Sequence, residues 1–260
     1  MQNASKRALV IIDPQNDFCD QRGSLYVEGA AADVRRLSAH IANSGGEYTD
    51  IFISLDSHDI AAIFHPAFWT DGDGNRPAPF TQISSGGFAS GRWRVASASN
   101  EKQAERTFAA MKKAGVDAVT VWPEHCVVST WGHQIADGLR DSLRVWRERT
   151  GRAARYVFKG ENPFTDQFSI FEGLDASWPE TAFNEVLFAR LADCESVTFT
   201  GEALSHCVEA SILSFTRRLG DKRPLLRLLK DCSSPVSGFD PKASFDRIAA
   251  SGVELAESGA

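Results

Sequence analysis

Short unbroken apolar runs alternate along this chain with longer stretches in which apolar residues recur every three or four positions. The runs at 8–12, 51–55, 118–121, 155–158, 196–199 and 225–229 read as strands. Runs that are apolar on both faces suit strands covered by helices on both sides, as in a parallel sheet. Between them, Ala32, Val34, Leu37 and Ile41 fall on one helical stripe, and the spacing predicts a crossover helix over 30–43, stopped by Gly45-Gly46. The same reasoning predicts helices over 100–114 and over 127–149, the latter with Ile135, Leu139, Leu143 and Trp146 on one face. Helices are also expected near 179–191, from Glu209 onward and over 240–250, with 252–255 as an edge segment. Strand and helix in alternation define an α/β fold with three layers, α/β/α, around a mostly parallel central sheet. The expected organisation is a single domain over 1–260 with a long insertion after the second strand, at about 59–117. Pro77, Pro79, Gly86, Gly87 and Gly91 keep much of that insertion irregular. A loop of this length is usually a lid or a binding loop. Its Asp71-Gly72-Asp73-Gly74-Asn75 cluster lacks the sixth-position glycine and the distal glutamate of a calcium loop.

Composition narrows the class. Of 260 residues, 43% are hydrophobic and 24% charged, ordinary for a globular protein. The net charge of −6 argues against a nucleic acid or an anionic membrane as partner. No apolar run approaches the roughly 20 residues of a membrane span. The first seven residues lead straight into a strand without the apolar core and cleavage site of a signal peptide. The five cysteines (19, 126, 194, 207, 232) form no CxxC pair and read as reduced thiols. The expected compartment is therefore the cytoplasm.

The strand ends carry the chemistry. In an open parallel sheet, ligands bind at the carboxyl edge. That edge receives Asp13, then Asp56 and His58, then Lys159, and finally Cys207 after the run 196–199, while the run 118–121 leads to His125. Taken alone, Asp13 is as readily a turn cap before Pro14, and Lys159 an ordinary lysine at a strand end. Cys207 falls where a strand passes into a helix, a position at which free N–H groups and the helix dipole lower a thiol pKa. Its alternative is a small buried core residue. Asp56, His58 and His125 make a carboxylate and two imidazoles, good ligands for a borderline divalent metal, with positions left open as in catalytic sites. Cys126 is read as packing and His133 as structural or exposed.

Collected in order, these pieces resemble the isochorismatase-like cysteine hydrolases, most closely the nicotinamidase and pyrazinamidase branch. The matching residues are Ile12-Asp13-Pro14-Gln15-Asn16-Asp17-Phe18, Leu55-Asp56-Ser57-His58, Trp122-Pro123-Glu124-His125-Cys126, Lys159-Gly160, and Gly201-Glu202-Ala203-Leu204-Ser205-His206-Cys207-Val208. The resemblance implies a catalytic triad of Asp13, Lys159 and Cys207, and one divalent ion, zinc before iron or manganese, on Asp56, His58 and His125. It implies a cis peptide between Glu202 and Ala203, with the N–H groups of Ala203 and Cys207 as the oxyanion hole. Phe18, Asn16, Trp69 and His206 are assigned to substrate binding. The chain departs from the family pattern at Ser57, where a pocket aromatic is expected; Trp69, Phe68 or Trp122 would replace it, and His65 corresponds loosely to an additional histidine. The implied activity is release of ammonia from a small amide, nicotinamide to nicotinate first, through a Cys207 thioester, with a role in NAD salvage. The alternatives are an amidase for carbamoyl or ureido compounds, an isochorismatase-type hydrolase and, last, a non-catalytic metal-binding protein. A homo-oligomer is expected.

Overall fold

The computed structural model describes residues 5–220 and 223–259. The first four residues, on which the reading of the N-terminus partly rests, lie outside that set. In chain order the elements are β1 (Arg7–Ile12), a one-turn α1 (Asn16–Cys19), α2 (Ala30–Ser44), β2 (Asp50–Asp56), β3 (Trp69–Thr70), β4 (Gln82–Ser84), α3 (Ser85–Ala89), β5 (Arg94–Val95), α4 (Glu101–Lys113), β6 (Ala118–Thr120), α5 (Asp137–Thr150), β7 (Arg155–Lys159), α6 (Glu185–Ala192), β8 (Ser196–Gly201), α7 (Glu209–Arg218), β9 (Leu225–Leu229), α8 (Pro241–Ala250) and β10 (Glu254–Ala256).

Six strands form the central sheet in the order β10-β9-β8-β1-β2-β7, every neighbouring pair parallel. β1 lies at its middle and shows why its sequence is apolar throughout. Ala8, Val10 and Ile12 enter the core on one face with Phe199, Phe215 and Leu228. Leu9 and Ile11 enter the core on the other face with Leu37, Ile41, Leu143 and Trp146. Alternating side chains thus feed two separate layers, and neither face of the strand meets water.

Three expectations about this scaffold are corrected. β6 is not a strand of the central sheet: it pairs antiparallel with β4, Gln82 against Thr120 and Ser84 against Ala118. It belongs to a third core, with Phe64, Phe68, Trp69, Ile83, Phe108 and Trp122, that the insertion builds for itself. The helix expected from residue 127 begins only at Asp137. Residues 127–136 form a run of turns held by distant backbone partners: Val128 N–H donates to His58 O (3.1 Å), Asn16 N–H to Gln134 O (2.8 Å) and Asp17 N–H to Gly132 O (3.1 Å). These long-range bonds override the local helical period. The helix near 179–191 also shortens to α6, where the Asn184 side chain caps the Leu187 N–H. No helix among the described residues is long and apolar enough to cross a membrane.

Trp69 is fully buried at 0% exposure in the insertion core, with its Nε1 donating to Ile63 O at 2.5 Å. Replacing it by alanine would leave a large cavity and an unpaired carbonyl. Trp69→Ala is expected to lower the unfolding free energy by about 3–5 kcal/mol, read from chemical denaturation.

Candidate active site

The carboxyl ends of β1, β2, β7 and β8 lie side by side, because their strands are parallel and in register. Asp56 is the direct register partner of Lys159, and Ile12 of Gly201. Asp13 follows β1 with φ 43°, and the loop turns there. Ser54 fixes its carboxylate: Ser54 Oγ donates to Asp13 Oδ1 (2.5 Å) and accepts from the Asp13 N–H (3.0 Å). Gly201 has φ 113°, and a Cβ there would lie 2.1 Å from Ile12 O, so only glycine lets β8 approach β1 at this point. The cis peptide Glu202–Ala203 follows, then a turn over Leu204–Val208 closed by Val208 N–H to Ala203 O (3.2 Å). Cys207 is carried on that turn, one residue pair before α7.

Lys159 holds these pieces together. Its Nζ lies 2.9 Å from Asp13 Oδ2, 2.5 Å from Asp56 Oδ1, 3.2 Å from Gln167 O and 3.5 Å from Cys207 Sγ. Burial opposes its charge, but Asp13, Asp56 and Cys207 outweigh burial and hold the ammonium well above its usual range. Burial would also raise Asp56; Lys159 and His58 more than offset it, and the carboxylate falls below the usual range. For Asp13 burial wins over Lys159, and its pKa is raised. Among the described residues no aligned hydrogen bond reaches Asp13 Oδ2, so it keeps accepting capacity. The functional atoms of Asp13, Asp56 and Cys207 lie within 4.8 Å of one another. Cys207 itself is buried, and burial pushes its thiol well above the usual range despite Lys159. This desolvation opposes the lowered pKa expected from a helix start.

Asp56, His58 and His125 form the second group, their ligand atoms also within 4.8 Å of one another and all three residues buried. His58 Nδ1 pairs with Gly160 O (3.1 Å) and His125 Nδ1 with Pro123 O (2.8 Å). Each contact assigns the ring proton to Nδ1 and leaves Nε2 as a donor of its lone pair, the tautomer a metal ligand needs. Gly160 (φ 72°) is required, since a Cβ would come within 2.4 Å of His58 Cε1. His125 comes from the loop after β6, held by Trp122 N–H to Phe64 O (2.8 Å) and Cys126 N–H to Asp17 Oδ2 (2.6 Å). His65 stands outside the cluster. Its Nδ1 faces Asp59 O and Ile60 O, and its Nε2 accepts the His125 N–H at 3.4 Å. Cys126 packs against Phe18 and Cys19, and His133 meets Ser57 Oγ at 2.9 Å.

Between the two groups opens a small cavity of about 40 Å³. Phe18, Trp122, Phe168, Ala203, His206, Cys207, Asp56 and His125 line it, with Leu25 and Val236. The wider grooves along α5 and β7 are lined by none of Asp13, Asp56, His58, His125, Lys159 and Cys207. Phe18 and His206 thus lie where substrate-binding residues are expected. Trp69 does not, because it is committed to the insertion core, and Trp122 supplies the wall instead. Asn16 also misses the cavity: its Nδ2 donates to Trp131 O (2.9 Å) and ties the β1 loop down. Phe168, Leu25 and Val236 were not foreseen. Nor was Gln15, whose side chain clasps Asp56 through the Asp56 N–H (2.7 Å) and O (2.8 Å). Its signal was the polar loop after Asp13.

No protein-family model matches the chain. It is 25% identical over 240 residues to the nicotinamidase of Saccharomyces cerevisiae, covering 91% of each chain. It is 25% identical over 249 residues to the nicotinamidase/pyrazinamidase of Mycobacterium tuberculosis, covering 96% of this chain and 97% of that protein. Among solved structures, the yeast nicotinamidase superposes with a TM-score of 0.68 at 21% identity, covering 96% and 99% of the two chains. The pyrazinamidase of Pyrococcus horikoshii in complex with zinc superposes at 0.58 and 17%, covering 97% and 99%. The fold is the isochorismatase-like α/β fold. Within that class, the similarities support the nicotinamidase branch.

Removing Lys159 would leave two buried carboxylates without their cation. Lys159→Met is expected to destabilise the protein by about 3–5 kcal/mol, read from guanidinium unfolding.

Proposed function

We propose that this protein is an amidohydrolase that uses Cys207 to release ammonia from a small heteroaromatic amide, with nicotinamide as first substrate. The observation that carries this reading is Lys159 reaching Asp13, Asp56 and Cys207 at once beside an aromatic-walled cavity. The curated relatives, both nicotinamide-type amidases by name, support it.

In this reading Cys207 rests as a neutral thiol. Asp13 Oδ2, with its free accepting capacity, takes the thiol proton as the sulfur attacks the amide carbon. The charge that develops lies beside Lys159 Nζ. The N–H groups of Ala203 and Cys207 receive the oxyanion, a contribution of about 2.7–4 kcal/mol per donor in comparable sites. Asp13 returns the proton to the departing nitrogen, which leaves as ammonia. A water then loses a proton to Asp13 and opens the thioester, releasing the acid and restoring the thiol. Phe18, Trp122 and Phe168 flank a planar ring, and His206 closes the pocket next to Cys207. Asp56, His58 and His125 have the donor types, burial and tautomers to hold a divalent ion such as zinc. Such an ion supplies a Lewis acid to bind and orient a basic atom of the substrate.

The test is ammonia release from nicotinamide by wild type and Cys207→Ala. Wild type is expected to turn over and the variant to lose at least about a thousandfold in kcat, as nucleophile deletions do. A variant as active as wild type would end the assignment of Cys207. Exhaustive chelation should abolish turnover and zinc should restore it; full activity with the metal measured absent would remove any metal from the reaction.

A further inference from the structure

One buried acid has no part in the chemistry above. Glu202 leads into the cis peptide that precedes Ala203 and is 1% exposed. Its Oε2 accepts the Ser234 N–H at 3.2 Å, while no donor among the described residues reaches Oε1. Ser234 bridges it to Asp33 of α2, its N–H donating to Glu202 Oε2 and its Oγ to Asp33 Oδ2, and this brings the two carboxyl groups together for a carboxyl–carboxyl hydrogen bond. Such a bond needs a proton on one partner. Asp33 is already an acceptor at both oxygens: Arg36 Nη2 donates to Oδ1 and Ser234 Oγ to Oδ2 (2.5 Å). The proton therefore belongs to Glu202, and with it both Glu202 oxygens are satisfied, one as donor and one as acceptor.

We infer that Glu202 is a positioning residue: its carboxyl group donates to Asp33 and accepts from Ser234, and so fixes the turn that presents Ala203 and Cys207. The inference rests on the proposed amidase reading for what the turn does, though not for the hydrogen bond itself. The geometry of the turn favours it. The chain beyond β9 meets the same turn twice more, through Leu204 N–H to Ser234 O (2.8 Å) and Val236 N–H to Ser205 Oγ (3.1 Å). The Glu202 N–H is spent on Ile12 O (2.8 Å). Its side chain is thus the link from this turn to α2. An apolar residue would fill the space but make neither bond.

The charged and titratable groups facing Glu202 are Asp33 and Arg36 of α2 and Cys19 of α1, with Asp231 behind Arg36. Burial, then the Asp33 charge, pushes the Glu202 carboxyl well above its usual range, and Arg36 only partly counters them. An acid raised in the folded state stabilises fully below its unfolded value near 4.3, and that stabilisation is lost as pH rises toward the folded value. Ionised Glu202 would set two carboxylates against each other behind the turn.

Three proteins test this: wild type, Glu202→Gln, which can make both hydrogen bonds and cannot ionise, and Glu202→Leu, which can make neither. The first reading is the thermal midpoint from pH 5 to 9.5. The advantage of Glu202→Gln over wild type should widen as pH rises; a constant gap overturns the protonated assignment. The second is ammonia release from nicotinamide, each protein confirmed folded by circular dichroism. Glu202→Leu should lose about tenfold or more in kcat with KM within about threefold, and Glu202→Gln should recover most of that loss. Equal kcat in wild type and Glu202→Leu overturns the positioning role. The third is the rate of Cys207 alkylation by iodoacetamide, which needs no substrate. It should change severalfold in Glu202→Leu and be restored in Glu202→Gln; no change overturns the role even where nicotinamide is not turned over. Absence of wild-type turnover would count against the amidase reading alone.

Discussion

The structure turns on one buried ammonium. Lys159 is 1% exposed, and an isolated charge at such a position would cost several kcal/mol. The fold offsets this by bringing two carboxylates to it from two different strands, Asp13 from the end of β1 and Asp56 from the end of β2. That demand fixes much else. β7 must pair parallel with β2 in the register that sets Lys159 against Asp56. Ser54 must sit two residues before Asp56, on the strand beside β1, to hold the Asp13 carboxylate. Gly160 must lack a side chain so that the chain can leave β7 past His58. The lysine also joins the two groups of functional atoms, since Asp56 contacts it through one oxygen and approaches His58 through the other.

The central sheet was legible because its strands are buried on both faces and their hydrophobicity needs no partner to be recognised. Asp13, Asp56, His58, Lys159 and Cys207 were legible as candidates for the same reason: parallel strands gather their carboxyl ends whatever the details of the loops. What failed depended on partners distant in sequence. The run at β6 looks like any other strand, and nothing in it says that its neighbour is β4 rather than the central sheet. Residues 127–136 carry a helical stripe, yet their backbone groups are claimed by the loops after β1 and β2. Trp69 and Trp122 are equally aromatic; only the insertion core decides that the first is packing and the second faces the cavity. Glu202 was legible only as the residue before the cis peptide and not as a side chain with a role, because Asp33, which faces it, lies on a helix about 170 residues away.

The insertion explains how an irregular sequence can still supply precise positions. It is anchored by its own apolar cluster rather than by the main sheet, and its rim delivers Trp122 and His125 together. His65, from the same region, meets the His125 backbone and ring, so the second imidazole of the metal-type group is braced from outside the sheet. This arrangement lets the pocket wall vary without disturbing the strand ends. Ser57, standing where an aromatic is expected, fits that division: its hydroxyl bonds Leu55 O and His133, and the aromatic surface comes from Trp122 and Phe168.

The sign of the cysteine shift bears on the proposed reaction. A thiolate formed in the resting enzyme would already enjoy the attraction of Lys159, and that attraction would then stabilise ground state and transition state alike. Burial instead keeps the proton on Cys207, and it raises Asp13 as well. Charge on sulfur then develops only as the proton passes to Asp13 and the carbon–sulfur bond forms. At that moment a buried ammonium 3.5 Å from the sulfur already stands in place. A neutral thiol beside a fixed cation and an ionised base thus places the electrostatic stabilisation where it lowers the barrier, and the burial that holds the proton on sulfur is what makes the stabilisation selective.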